Sequence, residues 1–164
     1  MRNALGVVRK KTHDAMRTTI QWRSIVNIVV DAMGGDYAPE NVVAGVVEAV
    51  KEYNLTVTLI GIEDRVRTEL KKHSYPQDRI KIVHAPEVVE MDDPAIASIR
   101  QKKNSSITLG VNPIKESPGK YDAFISAGNT GAVVAAATLK LGMIPGVDRP
   151  AIGLVIPSLK GCSF

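Results

Sequence analysis

The chain is organised around a glycine-rich segment, Ser126-Ala127-Gly128-Asn129-Thr130-Gly131-Ala132. A short apolar run precedes it and a series of small residues, 133–141, follows it, which indicates a strand, a glycine turn and a helix. Gly128 and Gly131 allow positive φ and a close approach to a ligand, and we expect Thr130 to cap the helix. Exposed N–H groups and the helix dipole then favour an anion such as phosphate. An ordinary turn without a ligand fits this stretch equally well.

A second turn of the same kind follows an apolar run at residues 25–30, and it reads Asp31-Ala32-Met33-Gly34-Gly35-Asp36. β-Branched runs of this sort are typical of strands that are buried on both faces. We expect further strands at residues 56–60, 80–84, 122–125 and 152–156. We expect helices that begin at Pro39 and that cover residues 64–72, 95–100 and 107–115.

Strands that alternate with helices predict an α/β fold in three layers, α/β/α, with a mostly parallel sheet. Ligands of such sheets bind beyond the carboxyl ends of the strands. Both glycine turns follow a strand end directly, so we expect Gly34 and Gly35 to share one rim of the sheet with Gly128.

Two local features qualify this assignment. Asp93 followed by Pro94 indicates a helix N-cap and first turn. Gly110 and the pair Asn112-Pro113 interrupt the next helical pattern, so we expect a loop within residues 111–120.

The formal charge of +4 is concentrated at one end of the chain. Residues 1–24 hold six basic residues and one acidic residue, so the remainder carries about −1, and a nucleic-acid interface is not expected. We interpret residues 1–24 as a disordered or weakly helical basic extension, although an organelle transit segment has a similar composition. A single cysteine, Cys162, and three histidines without ligand spacing predict neither a disulfide nor a metal site.

Five short motifs follow one another along the chain: Asp31-Ala32-Met33-Gly34-Gly35-Asp36 with Pro39 close behind, Arg100-x-Lys102-Lys103-x-Ser105-Ser106, Asp122-Ala123-x-x-Ser126-Ala127-Gly128-Asn129-Thr130-Gly131-Ala132, Gly146-Val147-x-Arg149-Pro150 and Pro157-x-Leu159-Lys160-Gly161. Each motif is weak alone. In this order, over residues 27–161, they resemble the bacterial phosphate acyltransferases of phospholipid synthesis, the acyl-carrier-protein:phosphate acyltransferases.

The resemblance implies a reaction between a long-chain acyl thioester on acyl carrier protein and inorganic phosphate, which gives acyl phosphate for phospholipid synthesis. It implies a fold similar to isopropylmalate dehydrogenase and phosphotransacetylase, a homodimer, and no metal or organic cofactor. It also implies a cytoplasmic location, with peripheral membrane contact through a C-terminal half. Because the family's chain is about twice as long, we interpret residues 25–164 as the N-terminal part of an acyltransferase domain, with the fold truncated.

Phosphate is itself the nucleophile of this reaction, so the site must position it and stabilise a tetrahedral oxyanion. The candidate catalytic residues are Asp31, Asp36, Lys103 and Asn129. The candidate residues for binding phosphate or the acyl thioester are Gly34, Gly35, Arg100, Lys102, Ser105, Ser106, Ser126, Gly128, Thr130 and Gly131.

Each candidate group also has a structural interpretation. Residues 100–103 suit a solvated helix end, Asp31 suits a turn cap, and Ser105 with Ser106 suits a helix N-cap. His84 is more consistent with a structural role than with a general base. For the whole chain, the alternatives are a non-catalytic truncated fragment and an enzyme of the phosphotransacetylase type.

Overall fold

The computed structural model describes residues 25–153, 156–158 and 161–163. Its central sheet contains four parallel strands in the order β3-β2-β1-β4. The strands are β1 (Val26–Asp31), β2 (Leu55–Gly61), β3 (Ile80–His84) and β4 (Ala123–Ile125). The expected parallel α/β arrangement is therefore confirmed.

Five α-helices surround this sheet within the described residues, and a short 3-10 helix (Gln77–Arg79) precedes β3. The α-helices are α1 (Glu40–Glu52), α2 (Glu63–Leu70), α3 (Ala95–Gln101), α4 (Ser106–Glu116) and α5 (Thr130–Lys140). None of the helices in the described ranges is both long enough and apolar enough to span a lipid bilayer.

The helices form a layer on each side of the sheet. On one side, the α1 stripe that includes Val43 and Val47 packs with α2 against the β1 and β2 side chains, among them Leu59. On the other side, α4 covers Val29 and Ile60. The helices α3 and α5 pack against α4 in a second cluster on that side. Burial of β-branched residues on both faces explains the continuous apolar runs of the strands.

Two expectations about chain segments were wrong. Residues 151–153 form no strand; instead β5 (Ile156–Ser158) and β6 (Gly161–Ser163) form a separate antiparallel pair. The loop expected within residues 111–120 begins only after Glu116, because α4 continues through Pro113. The basic extension at residues 1–24 lies outside the described residues.

Gly110 has a packing role inside α4. A methyl group on its Cα would lie 2.2 Å from the Phe124 ring, so only glycine lets the aromatic ring of β4 rest on the helix. The residue that weakens the helical pattern in the sequence is thus the residue that allows α4 to dock on the sheet.

Two helix starts differ from the predicted ones. The N-cap of α3 is Pro94 rather than Asp93, and it makes no side-chain cap. The N-cap of α5 is Asn129 rather than Thr130, and the Asn129 side chain accepts a hydrogen bond from the Ala132 N–H. The N-cap of α3 therefore lies one residue later than predicted, and the N-cap of α5 lies one residue earlier.

Candidate functional site

The two glycine turns lie against each other at the carboxyl ends of β1 and β4. A methyl group built on Gly34 would come within 2.6 Å of the Gly128 nitrogen, and one built on Gly128 would lie 3.3 Å from the Gly34 Cα. Gly35 adopts a φ of +95°, which favours glycine. The expectation that both turns share one rim is confirmed, and the rim requires glycine because the two backbones nearly touch.

A buried carboxylate lies beneath this contact. Asp31 is 1% exposed, and one of its oxygens accepts a hydrogen bond from the Met33 N–H at 2.9 Å. The other oxygen accepts the Ser126 hydroxyl at 2.7 Å, and the Ser126 oxygen in turn accepts the Gly128 N–H at 3.1 Å. Asp31 therefore caps its own turn, as one interpretation of the sequence holds, and also fixes the second turn through Ser126.

The start of α5 presents backbone donors on the same rim. The first N–H groups of a helix have no hydrogen-bond partner within the helix. In α5, the Ala132 N–H donates to Asn129 Oδ1 at 3.0 Å. Thr130 and Gly131 precede Ala132 and are exposed. Their N–H groups, at the positive end of the helix dipole, are suited to bind an anion.

The other half of the Asn129 side chain holds a neighbouring loop. Its amide nitrogen donates to the carbonyl oxygens of Glu90, Met91 and Asp93, at 3.0 to 3.3 Å. Because both ends of this buried amide are engaged, Asn129 fixes the loop against the glycine turn and has no free atom for a ligand.

Lys102 holds the same loop from the other side. Its ammonium group donates to the Val88 carbonyl oxygen at 2.8 Å and pairs with the Asp93 carboxylate at 2.5 Å. The hydrogen bond from Lys102, and a second from the Glu90 N–H, hold the pKa of the Asp93 carboxyl below its ordinary value of 3.8. Asp93 therefore joins two of the sequence motifs, because its carboxylate pairs with Lys102 and its carbonyl oxygen accepts a hydrogen bond from Asn129.

The remaining candidates of the second motif divide into two groups. Ser105 and Ser106 are buried, and Ser105 caps α4 by accepting the Thr108 N–H, as the structural interpretation predicts. Arg100 and Lys103 are exposed, and neither makes an ion pair within the part of the chain that the structure describes. The glycine turns, Asp31 and Ser126 are therefore brought together directly, whereas the cations lie outside this contact.

Two further side chains complete the sequence candidates. Asp36 is exposed and lies with Gly35 at the edge of a cleft. His84 Nδ1 accepts a hydrogen bond from the Glu63 N–H at 3.3 Å at the start of α2, which agrees with a structural role.

An apolar cleft that the sequence pattern did not indicate lies beside the rim. It has a volume of about 510 Å³ and runs between α1 and the face formed by β1, β2 and β4. Asp31, Gly34, Gly35 and Ser126 close one end, and Ile28 and Leu55 lie toward the other. The small residues Gly45 and Ala49 on α1 were the signal in the sequence, because they leave room beside a helix that is otherwise rich in valine.

The parallel α/β fold of this chain is similar to that of the phosphotransacetylases. The structure of a phosphotransacetylase from Streptococcus pyogenes superposes with a TM-score of 0.54 at 22% identity, over 85% of this chain and 45% of that chain. At this identity the likeness establishes the fold alone.

The sequence then identifies the family. Residues 26–164 match the family described as fatty acid synthesis protein, and the chain belongs to it. It is 47% identical to the phosphate acyltransferase of Alkaliphilus oremlandii over 84% of this chain, and 45% identical to that of Halothermothrix orenii over 83%. The chain spans 41% and 40% of the length of these two relatives.

Proposed function

We propose that the protein acts as an acyl-carrier-protein:phosphate acyltransferase and that residues 25–164 supply the phosphate-binding rim of its acyltransferase domain. The observation that carries this proposal is the contact between the turns at Gly34 and Gly128, beside the N-terminus of α5. The exposed N–H groups of Thr130 and Gly131 at that helix start are suited to bind a tetrahedral oxyanion. The relatives named phosphate acyltransferase support the same reaction.

In the proposed reaction, a phosphate oxygen attacks the carbonyl carbon of an acyl thioester on acyl carrier protein. A C–O bond forms, the C–S bond breaks, and the thiol of the carrier protein leaves with a proton. The products are acyl phosphate and free carrier protein. No side-chain nucleophile is needed, so the contribution of the protein is to position phosphate and stabilise the developing negative charge.

From their contacts, we infer different roles for the candidate residues. Thr130 and Gly131 provide backbone donors, whereas Gly34 and Gly128 provide the space for the close approach of the two turns. Asp31 acts as a positioning residue, because the Met33 N–H and the Ser126 hydroxyl occupy its two oxygens. The exposed Asp36 carboxylate is the better candidate to accept a proton from phosphate. Asn129 and Lys102 shape the site through the loop that they hold, and the buried Ser105 and Ser106 do so through α4.

Positive charge must come from groups that are not already paired. Lys102 is engaged by Asp93, which leaves Arg100 and Lys103 to neutralise the dianion. Replacing Arg100 with alanine is therefore expected to weaken phosphate binding, and unchanged binding would remove Arg100 from the site.

The family resemblance also supports a homodimer, a cytoplasmic location and a peripheral contact with membrane. These assignments, together with a basic extension at residues 1–24, belong to the same proposal. The alternatives are a truncated fragment without activity and an enzyme of the phosphotransacetylase type.

An acyl-transfer assay distinguishes these functions. The purified chain is incubated with inorganic phosphate and either palmitoyl acyl carrier protein or acetyl coenzyme A, and acyl phosphate is trapped as the hydroxamate. The proposal predicts hydroxamate from the carrier-protein thioester. Product from acetyl coenzyme A alone would favour the phosphotransacetylase type, and no product from a chain that is folded by circular dichroism would favour the inactive fragment.

A further inference from the structure

The turn between α3 and α4 is fastened to the segment that follows β3, and Glu87 is the centre of this contact. The Asn104 N–H donates to Glu87 Oε2 at 2.7 Å. The Ser106 N–H donates to the Glu87 carbonyl oxygen at 3.2 Å, and Glu87 also forms a parallel β-bridge with Ser105. Glu87 therefore holds residues 104–106 through both its side chain and its backbone.

Lys103 lies inside this fastened turn. On one side of it, the Lys102 ammonium group donates to the Val88 carbonyl oxygen at 2.8 Å, and on the other side Asn104 is held by Glu87. The Lys103 side chain is exposed and makes no ion pair within the described part of the chain. The backbone of Lys103 is thus fixed by its neighbours on both sides, while its ammonium group is left to meet a ligand.

We propose that Glu87 is a positioning residue for phosphate binding, because its carboxylate holds the turn from which Lys103 reaches the anion. This inference rests on the proposed function, in which Lys103 helps to neutralise the phosphate dianion. A hydrogen bond from a backbone N–H to a carboxylate is stronger than one between neutral groups. Binding costs less when the groups that meet a ligand are already ordered. Loss of the carboxylate therefore weakens phosphate binding through Lys103, although Glu87 itself does not contact the anion.

Four variants separate the hydrogen bond of Glu87 from its charge. Glu87→Ala removes both, whereas Glu87→Gln keeps an oxygen that can accept the Asn104 N–H. Glu87→Asp keeps the charge on a side chain that is one methylene shorter and no longer reaches this N–H. Glu90→Ala is the matched control, because Glu90 is exposed in the same loop and its contacts with Asp93 and Asn129 are made by its backbone.

The dissociation constant of inorganic phosphate is measured for each variant of the full 164-residue chain by NMR titration, with circular dichroism as the check of folding. We expect Glu87→Ala and Glu87→Asp to raise this constant by about tenfold. Glu87→Gln and Glu90→Ala should leave it within about twofold. In a Lys103→Ala background, Glu87→Ala should also change it by less than about twofold, because the effect of Glu87 passes through Lys103. A general loss of structure would instead weaken binding equally in both backgrounds.

The outcomes distinguish this inference from the function on which it rests. Absence of phosphate binding by the native chain would overturn the proposed function, and the inference with it. Where the native chain binds phosphate, three results would overturn the inference alone. These are an unchanged dissociation constant in Glu87→Ala, native affinity in Glu87→Asp together with weakened binding in Glu87→Gln, or equal weakening by Glu87→Ala with and without Lys103. If Glu87→Ala does not fold, Glu87→Asp takes its place in each comparison.

Discussion

The Ser126 hydroxyl donates a 2.7 Å hydrogen bond to the buried Asp31 carboxylate, and so joins two turns that lie 95 residues apart in the sequence. The same serine oxygen accepts the Gly128 N–H. The position of the second glycine turn therefore depends on a carboxylate at the end of the first strand. This link holds the backbone donors of the rim in a fixed arrangement before any ligand binds.

The first prediction concerns that link. Ser126→Ala removes a donor from a carboxylate that is 1% exposed, and we expect a loss of about 1–3 kcal/mol in the free energy of unfolding. In combination with Asp31→Asn, the losses should be less than additive by at least about 0.5 kcal/mol. Urea unfolding of the four proteins of the cycle measures this, with Ser74→Ala at an exposed position as control. Fully additive losses would show that the two side chains act independently.

The second prediction concerns the contact of the turns. Gly34→Ala places a methyl group 2.6 Å from the Gly128 nitrogen and 2.9 Å from an Asp31 oxygen. The turns must then separate, at an expected loss of about 1–3 kcal/mol. Gly45→Ala is the control, because a methyl group there meets nothing within 4 Å, and removal of a helical glycine should stabilise by about 0.5–1 kcal/mol. Thermal unfolding compares the two, and equal shifts would contradict the described contact.

The third prediction concerns the loop that Asn129 holds. Asn129→Asp retains an oxygen that can cap α5 but turns a second oxygen toward the carbonyls of Glu90, Met91 and Asp93. We expect faster amide hydrogen exchange in residues 88–93 and a loss of about 1–3 kcal/mol in stability. Asn41→Asp, on the exposed first turn of α1, is the control. Unchanged exchange in this loop would mean that Asn129 does not anchor it.

The fourth prediction is a pH dependence. The pKa of Asp93 is lowered in the folded protein, chiefly by the Lys102 hydrogen bond. The ionised carboxylate therefore stabilises the fold at pH values above the ordinary pKa of a carboxyl group. That stabilisation is lost as the pH falls below about 4 and then through the lowered pKa of Asp93 in the folded protein. Asp93→Asn should therefore flatten the fall in stability at acid pH, whereas Asp92→Asn should not. Urea midpoints measured against pH would contradict this if the Asp93→Asn and native curves stayed parallel.

The sequence was informative where the signal is local. The turns at residues 31–36 and 126–132 each carry glycine directly after an apolar run, and chain connectivity alone brings two strand ends of a parallel sheet to one rim. The strand expected at residues 152–156 was wrong at residues 152 and 153, because a short apolar run does not distinguish a central strand from other extended chain.

The roles that the sequence did not disclose depend on distant partners. Gly110 appears as a helix breaker until Phe124 of a later strand occupies the space beside it. Asn129 appears as a free polar group until the carbonyls of residues 90, 91 and 93 surround its amide. In both cases the deciding neighbour is supplied by tertiary packing, which no local pattern contains.

We propose that the two glycine turns bind phosphate together. Titration of the ¹⁵N-labelled chain with inorganic phosphate, against chloride at equal ionic strength, tests it most directly. We expect saturable shifts of the Gly34, Gly35, Gly128, Thr130 and Gly131 amide signals, with one dissociation constant for both turns. Saturable shifts confined to one turn or to a different surface, or no shift in a folded chain, would contradict it.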